Sequence, residues 1–270
     1  MTKKSTVLIG CLLTFCLQSA VAFQHNDLAK KNLKGKVEKT ISHYYEPILN
    51  GEGIEKGEKK NTFIYAYNED GNEVLYDGGH YQTISEYNEK GFKNRLYLTD
   101  GDKIYQSVEI VVDSNGQRRS EVIYDIRKNI LGKRTYRKKE NQVEMTEFGH
   151  TNDTIPKEVI IYDQQENKIH KEKYNPQGDK LLSIDYMYDG SGRVVRESQF
   201  NFKPWTLFTE TKFQYNENGD VSYKRTLSSQ NTEEFKYDYV YDSERNWIKR
   251  IKYQDKKAIE IQEREIVYFD

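Results

Sequence analysis

The residues best suited to metal ligation or general base work are five histidines, His25, His43, His80, His150 and His170. None is paired with another at metal-ligand spacing, and no H-E-x-x-H run occurs. No G-x-S-x-G elbow marks a serine nucleophile. Gly51-Glu52-Gly53-Ile54-Glu55-Lys56-Gly57 approaches a dinucleotide-binding loop. Its third glycine falls one residue late, Glu52 and Glu55 would repel phosphate, and no βαβ unit surrounds it. Carboxylates such as Asp70, Asp113 and Asp189 offer oxygen to Ca²⁺, but no EF-hand loop with its closing glutamate follows them. Asp and Glu are so frequent that spacing selects no glycosidase pair. These residues predict a non-enzyme with no cofactor and no metal.

Recognition chemistry is concentrated in Phe200-Asn201-Phe202-Lys203-Pro204-Trp205-Thr206-Leu207-Phe208. Phe202, Trp205 and Phe208 on an inserted loop could stack on sugar faces or grip a protein partner. The competing reading is that these rings plug the core at an irregularity. Trp247 reads as terminal core, capping the last hairpin. Asp153-Thr154-Ile155 resembles the short acceptor motif of bacterial extracytoplasmic O-glycosylation, with Thr154 as acceptor in a loop before Pro156.

The elements that would position these residues are marked by a recurring turn. An aromatic is followed by Asn or Asp, two or three polar residues, then Gly or Asn. Copies occur at Tyr67-Asn68-Glu69-Asp70-Gly71, Tyr87-Asn88-Glu89-Lys90-Gly91, Tyr174-Asn175-Pro176-Gln177-Gly178, Tyr188-Asp189-Gly190-Ser191-Gly192 and Tyr215-Asn216-Glu217-Asn218-Gly219. In the copies at Tyr162-Asp163 and Tyr241-Asp242 the closing residue reads as Asn167 or Asn246. Val112-Asp113-Ser114-Asn115-Gly116 loses the tyrosine, and Tyr124-Asp125 opens a looser version reaching Gly132. The Asx side chain accepts backbone hydrogen bonds two residues on, and a left-handed residue closes a short hairpin loop. Alternation puts Phe213 with Tyr215 on one face, Val221 with Tyr223, and Tyr239 with Tyr241. Tyrosine at a fixed place beside each turn predicts an aromatic ladder across neighbouring strands.

Two regions escape the pattern. Residues 23–60 form an N-terminal cap segment with a short helix over Asn26–Leu33, a strand over Val37–Tyr45, and a flexible Gly/Glu/Lys-rich loop over Asn50–Lys60. Asn201–Leu207 interrupts the repeats, which otherwise run over 61–270. Residues 1–22 read as a cleaved signal peptide, with Lys3 and Lys4, an apolar run, and Ala20-Val21-Ala22 before Phe23. Cys11 and Cys16 both fall inside it, so the exported chain would have no disulfide. Loss of the two lysines takes the formal charge from −1 to −3, which gives no strong field for nucleic acid or an anionic membrane. Charged residues at 31% against 36% apolar, with 22 tyrosines and 4 prolines, point to sheet wetted on at least one face rather than a thick core.

These turns, with Leu33-Lys34-Gly35-Lys36-Val37-Glu38, Arg245-Asn246-Trp247-Ile248-Lys249-Arg250 and Glu263-Arg264-Glu265-Ile266-Val267-Tyr268, resemble the secreted YD-repeat (RHS-like) proteins of diderm bacteria. The resemblance spans nearly all of the mature chain and implies hairpin-built β architecture. The larger relatives coil into a hollow shell around a toxin domain. With so few repeats, this chain is expected to form no full shell and to carry no appended domain.

The expected fold is all-β: an antiparallel up-and-down meander of tandem hairpins forming one long, twisted, curved sheet, with a closed barrel as the alternative. Segments 23–45 and 263–268 are its expected edge caps. The expected function is a secreted, non-catalytic binding or scaffold protein of the cell envelope, periplasmic, cell-surface or extracellular. Its partner would be a protein or glycan, without nucleic acid and without stable membrane insertion. The alternatives are an envelope- or polysaccharide-acting hydrolase and, by family analogy, a component of a toxin/immunity system.

Overall fold

The computed structural model describes residues 26–50, 53–149, 154–202 and 207–270, the last two ranges opening with backbone alone at 154–156 and 207. Residues 1–22, read from sequence as a signal peptide, and His25, His150 and Trp205 lie outside the described residues. One short helix, α1 (Asp27–Lys30), precedes eighteen strands: β1 (Val37–Asn50), β2 (Gly53–Tyr67), β3 (Glu73–Asp77), β4 (Gln82–Tyr87), β5 (Lys93–Asp100), β6 (Lys103–Val112), β7 (Arg118–Asp125), β8 (Ile130–Lys139) and β9 (Gln142–Gly149), then β10 (Thr154–Tyr162), β11 (Lys168–Tyr174), β12 (Lys180–Tyr188), β13 (Val194–Asn201), β14 (Leu207–Tyr215), β15 (Val221–Ser228), β16 (Thr232–Tyr241), β17 (Trp247–Gln254) and β18 (Lys257–Tyr268). Asn26 caps α1 by accepting from the Ala29 N–H at 3.0 Å.

Nine connections share one geometry, beginning at Asn68, Asn88, Asp113, Asp125, Asp163, Asn175, Asp189, Asn216 and Asp242. The Asx N–H donates to the carbonyl four residues on, and the third following residue donates back to the Asx carbonyl at 2.8–3.2 Å. The Asx Oδ1 accepts the N–H four residues on in every copy. The residue three beyond the Asx is left-handed. It is glycine in six copies but Lys128, Glu166 and Arg245 in the others. Asn167 and Asn246 therefore do not close their turns, contrary to the sequence expectation, because the closing position lies one residue earlier. Asp125 likewise opens a full tight turn ending at Asn129, and Gly132 lies within β8.

A bulge follows each of these turns. Tyr215 pairs with Val221, but Gln214 pairs with Tyr223 and Phe213 with Lys224. One residue is inserted and the side-chain parity of the returning strand is reset. Val221 and Tyr223 thus do not share a face as simple alternation predicted. Phe213 with Tyr215, and Tyr239 with Tyr241, do: the latter rings stack with centroids 5.8 Å apart. The tyrosines beside the turns act chiefly through their hydroxyls, not as the expected continuous ring ladder. Tyr87 donates to Glu73 O, Tyr188 to Lys168 O and Tyr215 to Val194 O at 2.7–2.8 Å. Each latches one turn to the first residue of the strand after an earlier one.

Every strand pairs antiparallel with its sequence neighbours, and β1 also pairs with β18 from Val37↔Tyr268 to Tyr45↔Ile261. The expected open, curved sheet is therefore corrected to a closed ring of eighteen strands. An even strand count brings the first and last strands together antiparallel, and accumulated twist carries them into register. The two segments expected to cap separate edges pair with each other over Val37–Tyr45, which closes the edge there. Residues 53–60, expected as loop, continue β2 as one arm of a ribbon with β1. Ile48↔Glu55 and Pro47↔Lys56 pair there, beyond the reach of β18. Pro47 is tolerated because that side of β1 has no partner strand.

Register and burial together define two faces. The lumen face carries Thr40, Tyr67, Tyr76, Leu98, Val108, Ile123, Tyr136, Met145 and Ile160, all below a tenth exposed. Leu98, Val108, Ile110 and Ile123 form one apolar cluster, and Tyr136, Val143 and Met145 another. The outer face carries ion pairs along the strands, including Arg95–Glu109 at 3.5 Å, Lys157–Glu144 at 3.5 Å, Lys212–Glu210 at 3.0 Å and Arg225–Glu234 at 3.2 Å.

Candidate functional site

Seven of the nine repeated turns lie at one rim of the barrel, where the chain also enters β1. Residues 26–36 cross that rim as a strap. At one side, Asn26 donates to Asp70 O at 2.9 Å and Leu28 N–H to Gly71 O at 3.2 Å. Asp27 accepts from the Glu73 N–H at 2.9 Å. At the other side, Asn32 donates to Asn218 O and to Asp220 Oδ1 at 2.9–3.1 Å. Lys34 and Asn246 exchange two hydrogen bonds at 2.8 Å. Gly71, at φ +76°, suits this contact twice over, since a Cβ would lie 2.4 Å from the Asn26 amide. Leu28, Leu33 and Val37 bury against Tyr67, Tyr65, Ile266 and Tyr268, which anchors the strap by its apolar side chains.

Beneath the strap the lumen wall gathers aromatic rings and two guanidinium groups. The Arg264 guanidinium lies 3.4 Å from the Trp247 ring centroid, and that of Arg250 lies 5.3 Å from it. Arg250 also faces Glu260 at 3.6 Å. No carboxylate stands within 4.0 Å of Arg264 among the described residues. Burial, with Arg250 close by, holds Arg264 down at about 10, still charged at neutral pH. Four polar atoms here are out of solvent without a partner in hydrogen-bonding geometry: Arg250 Nε, Arg264 Nε, Gln262 Oε1 and Tyr67 Oη. The nearby acid Asp220 is already engaged by Asn32 and by the Tyr241 hydroxyl at 3.0 Å.

A second cluster lies on the outer face of β11 and β12. His170 Nδ1 meets Asp185 at 2.6 Å and Nε2 meets Glu172 at 3.2 Å, while Tyr174 and Lys180 both donate to Glu172. It borders an open groove of about 520 Å³ lined by Val159, Ile161, Tyr174 and Pro176. Burial raises Glu172, but Lys180, Tyr174 and His170 outweigh it and hold the carboxyl at about 2. An acid so held cannot deliver a proton near neutral pH, and both ring nitrogens of His170 are occupied. The arrangement is a surface charge network.

The sequence-predicted binding residues separate. Phe208 packs on Phe200 across β13–β14 with ring centroids 5.0 Å apart, and Phe202 is 41% exposed near Lys180. Trp205 lies outside the described residues, as does Asp153, and the Thr154 side chain is not described. Trp247 is 7% exposed, as its core assignment required. Among the described residues no three of His, Cys, Asp and Glu gather to hold a metal. Arg250 and Arg264 were not singled out from sequence. Alternation counted back from Tyr268 does place Arg264 and Gln262 on the face of Ile266. Counting forward from Trp247 misses Arg250, because the bulge intervenes.

No family model and no curated protein matches the chain. Among solved structures it is similar to a porin-like protein from Bacteroides uniformis, with 11% identity, a TM-score of 0.47, and coverage of 87% of this chain and 99% of that one. It is also similar to a porin-like protein from Bacteroides vulgatus, with 12% identity, a TM-score of 0.35, and coverage of 86% and 98%. A TcdB2-TccC3-Cdc42 structure matches 82% of this chain but 14% of that one, at 11% identity and a TM-score of 0.30. The YD-repeat resemblance is corrected here. The turns close a ring of eighteen strands instead of paving a repeat sheet.

Proposed function

We propose that this protein is a non-catalytic binding barrel of the cell envelope that stands in water and takes its ligand into the lumen. The distribution of charge carries this reading. A barrel that crosses a bilayer needs an outward apolar band about 25 Å tall, and each Arg or Lys at mid-depth costs about 2–4 kcal/mol. Here Arg95, Lys157, Arg196 and Arg225 project outward from within their strands, beside outward Glu109, Glu144, Glu210 and Glu234. Large outward apolar side chains such as Ile84, Val111, Met187 and Val240 are scattered among them and form no band. The lumen wall holds the polar and aromatic groups suited to a ligand. Export by the 1–22 segment supplies the compartment, and Phe202, Trp205 and Phe208 are the proposed contacts for a protein or glycan partner. The test is fractionation of a diderm host expressing the full chain. The protein is expected in the osmotic-shock fluid, monodisperse without detergent. Recovery only from outer membrane with detergent, or ion conductance in planar bilayers, would overturn the reading.

A further inference from the structure

We infer that the lumen patch formed by Arg264, Arg250, Gln262 and Tyr67 is a binding site for an oxyanion that carries a neighbouring hydroxyl, a hydroxy-carboxylate or a hydrogen phosphate; this rests on the lumen-binding reading above. A guanidinium has five N–H donors and no acceptor. When it is taken out of water it needs a carboxylate or several acceptors, or it is costly. Arg264, half-buried in the lumen wall, has no carboxylate within 4.0 Å among the described residues. It stacks on Trp247 at 3.4 Å, which fixes its plane, and its Nε is out of solvent without a hydrogen-bond partner. Arg250 sits on the same ring and on Tyr237, with only the 3.6 Å approach of Glu260 as counter-charge.

The other two orphaned atoms give the site its second requirement. Gln262 and Tyr67 are each 3% exposed, and although Tyr44 and Thr40 stand beside them, Gln262 Oε1 and Tyr67 Oη meet no partner in hydrogen-bonding geometry. Gln262 pairs across the sheet with Arg250 and stands two residues from Arg264, so all three share one face. Tyr67 reaches the patch from β2 and interacts electrostatically with Arg264. Two donors with fork geometry suit a carboxylate or phosphate oxygen pair. An amide oxygen beside them accepts from an O–H, and a phenol accepts or donates. A bare anion would leave the Gln262 oxygen unmet. A neutral sugar would leave both guanidinium groups unmet.

Trp247 reports directly on this patch. With Trp205→Phe the chain keeps Trp247 as its single tryptophan. Its fluorescence would be titrated at constant ionic strength with glucuronate, inorganic phosphate, acetate and glucose. A saturable change is expected with glucuronate, phosphate or both, half-complete at about 1 mM or below, with acetate and glucose weaker by about tenfold or more. Glucuronate alone assigns a hydroxy-carboxylate, and phosphate alone a phosphorylated ligand. Arg264→Met abolishes the change. Arg264→Lys, which keeps charge but loses the fork, weakens it about tenfold, and the exposed outward Arg137→Met leaves it unchanged. Absence of saturation with both oxyanions, or binding retained in folded Arg264→Met, would overturn the site. If Arg264→Met does not fold, unchanged half-saturation in Arg264→Lys overturns it equally. Such a failure in a barrel released into water leaves the lumen-binding reading standing, whereas a membrane-embedded barrel removes both.

Discussion

Two arcs of the same barrel turn arginine toward the lumen, and they treat it differently. In the arc from β7 to β11, Glu121, Arg134 and Glu147 stand opposite one another across three strands. Glu121 meets Arg118 at 2.6 Å and Arg134 at 3.0 Å, and Arg134 meets Glu147 at 3.4 Å. Next along, Glu158 meets Lys171 at 2.9 Å and Lys173 at 3.6 Å. In the arc from β16 to β2 the charge is cationic and Arg264 has only a ring beneath it. The first arc also holds four buried polar atoms outside hydrogen-bonding geometry, Arg134 Nε, Tyr136 Oη and both Glu158 oxygens, but its charges are ion-paired among apolar clusters, which is what a structural network requires. The second has an unmet demand beneath a strap, which is what a binding site requires.

The largest expected effect tests the matched arc. Glu121→Ala removes the buried carboxylate that Arg134 and Arg118 share and should destabilise the barrel by about 3–5 kcal/mol in urea unfolding. Arg264→Met should instead leave stability within about 1 kcal/mol of wild type or raise it, because it removes a charge that was never compensated. A loss at Arg264→Met equal to that at Glu121→Ala would erase the distinction between the arcs.

Smaller effects belong to the turns that frame both arcs. Tyr215→Phe deletes the hydroxyl that donates to Val194 O at 2.7 Å and should cost about 1 kcal/mol. Lys128→Gly places glycine where the chain already has φ +62°, and should stabilise by about 0.5–1 kcal/mol. Neither should move the Trp247 titration. A shift there would mean that the turns, not the local side chains, set the geometry of the cationic arc.

The hairpin architecture was legible because the turns announce themselves chemically. Asn216 or Asp189 followed by a left-handed glycine has one economical conformation, and repetition made it unmistakable. Closure was not legible, because pairing of β1 with β18 depends on accumulated twist, which no local motif records. The faces were half-legible. Alternation holds within a strand, so Tyr239 and Tyr241 were placed together correctly. It fails across each turn, where the following bulge shifts parity and sends Tyr223 outward and Lys224 inward. The cationic arc was hidden for the same reason: Arg250 reaches the lumen only once the residue inserted after Trp247 is counted.

A third setting grades the comparison, since the His170 network is paired like the first arc but stands in water. Burial opposes the imidazolium, but the hydrogen bonds to Asp185 and Glu172 outweigh it and raise His170 above its ordinary value of 6.5. A raised folded value means that the stabilisation is complete below about pH 6.5 and is lost as pH climbs through the folded midpoint. Glu172, held at about 2, gives the opposite branch: its contribution is present above about 4.5 and lost as pH falls toward 2. Wild type should therefore lose a little stability between about pH 6 and pH 9 that His170→Gln does not, within the ~0–1 kcal/mol typical of exposed pairs. Asp185→Asn should lower the midpoint of the His170 ring proton resonance in NMR titration. An unchanged midpoint would mean that the 2.6 Å contact does not persist in water, and that pairing on the outer face carries none of the weight it carries around Glu121.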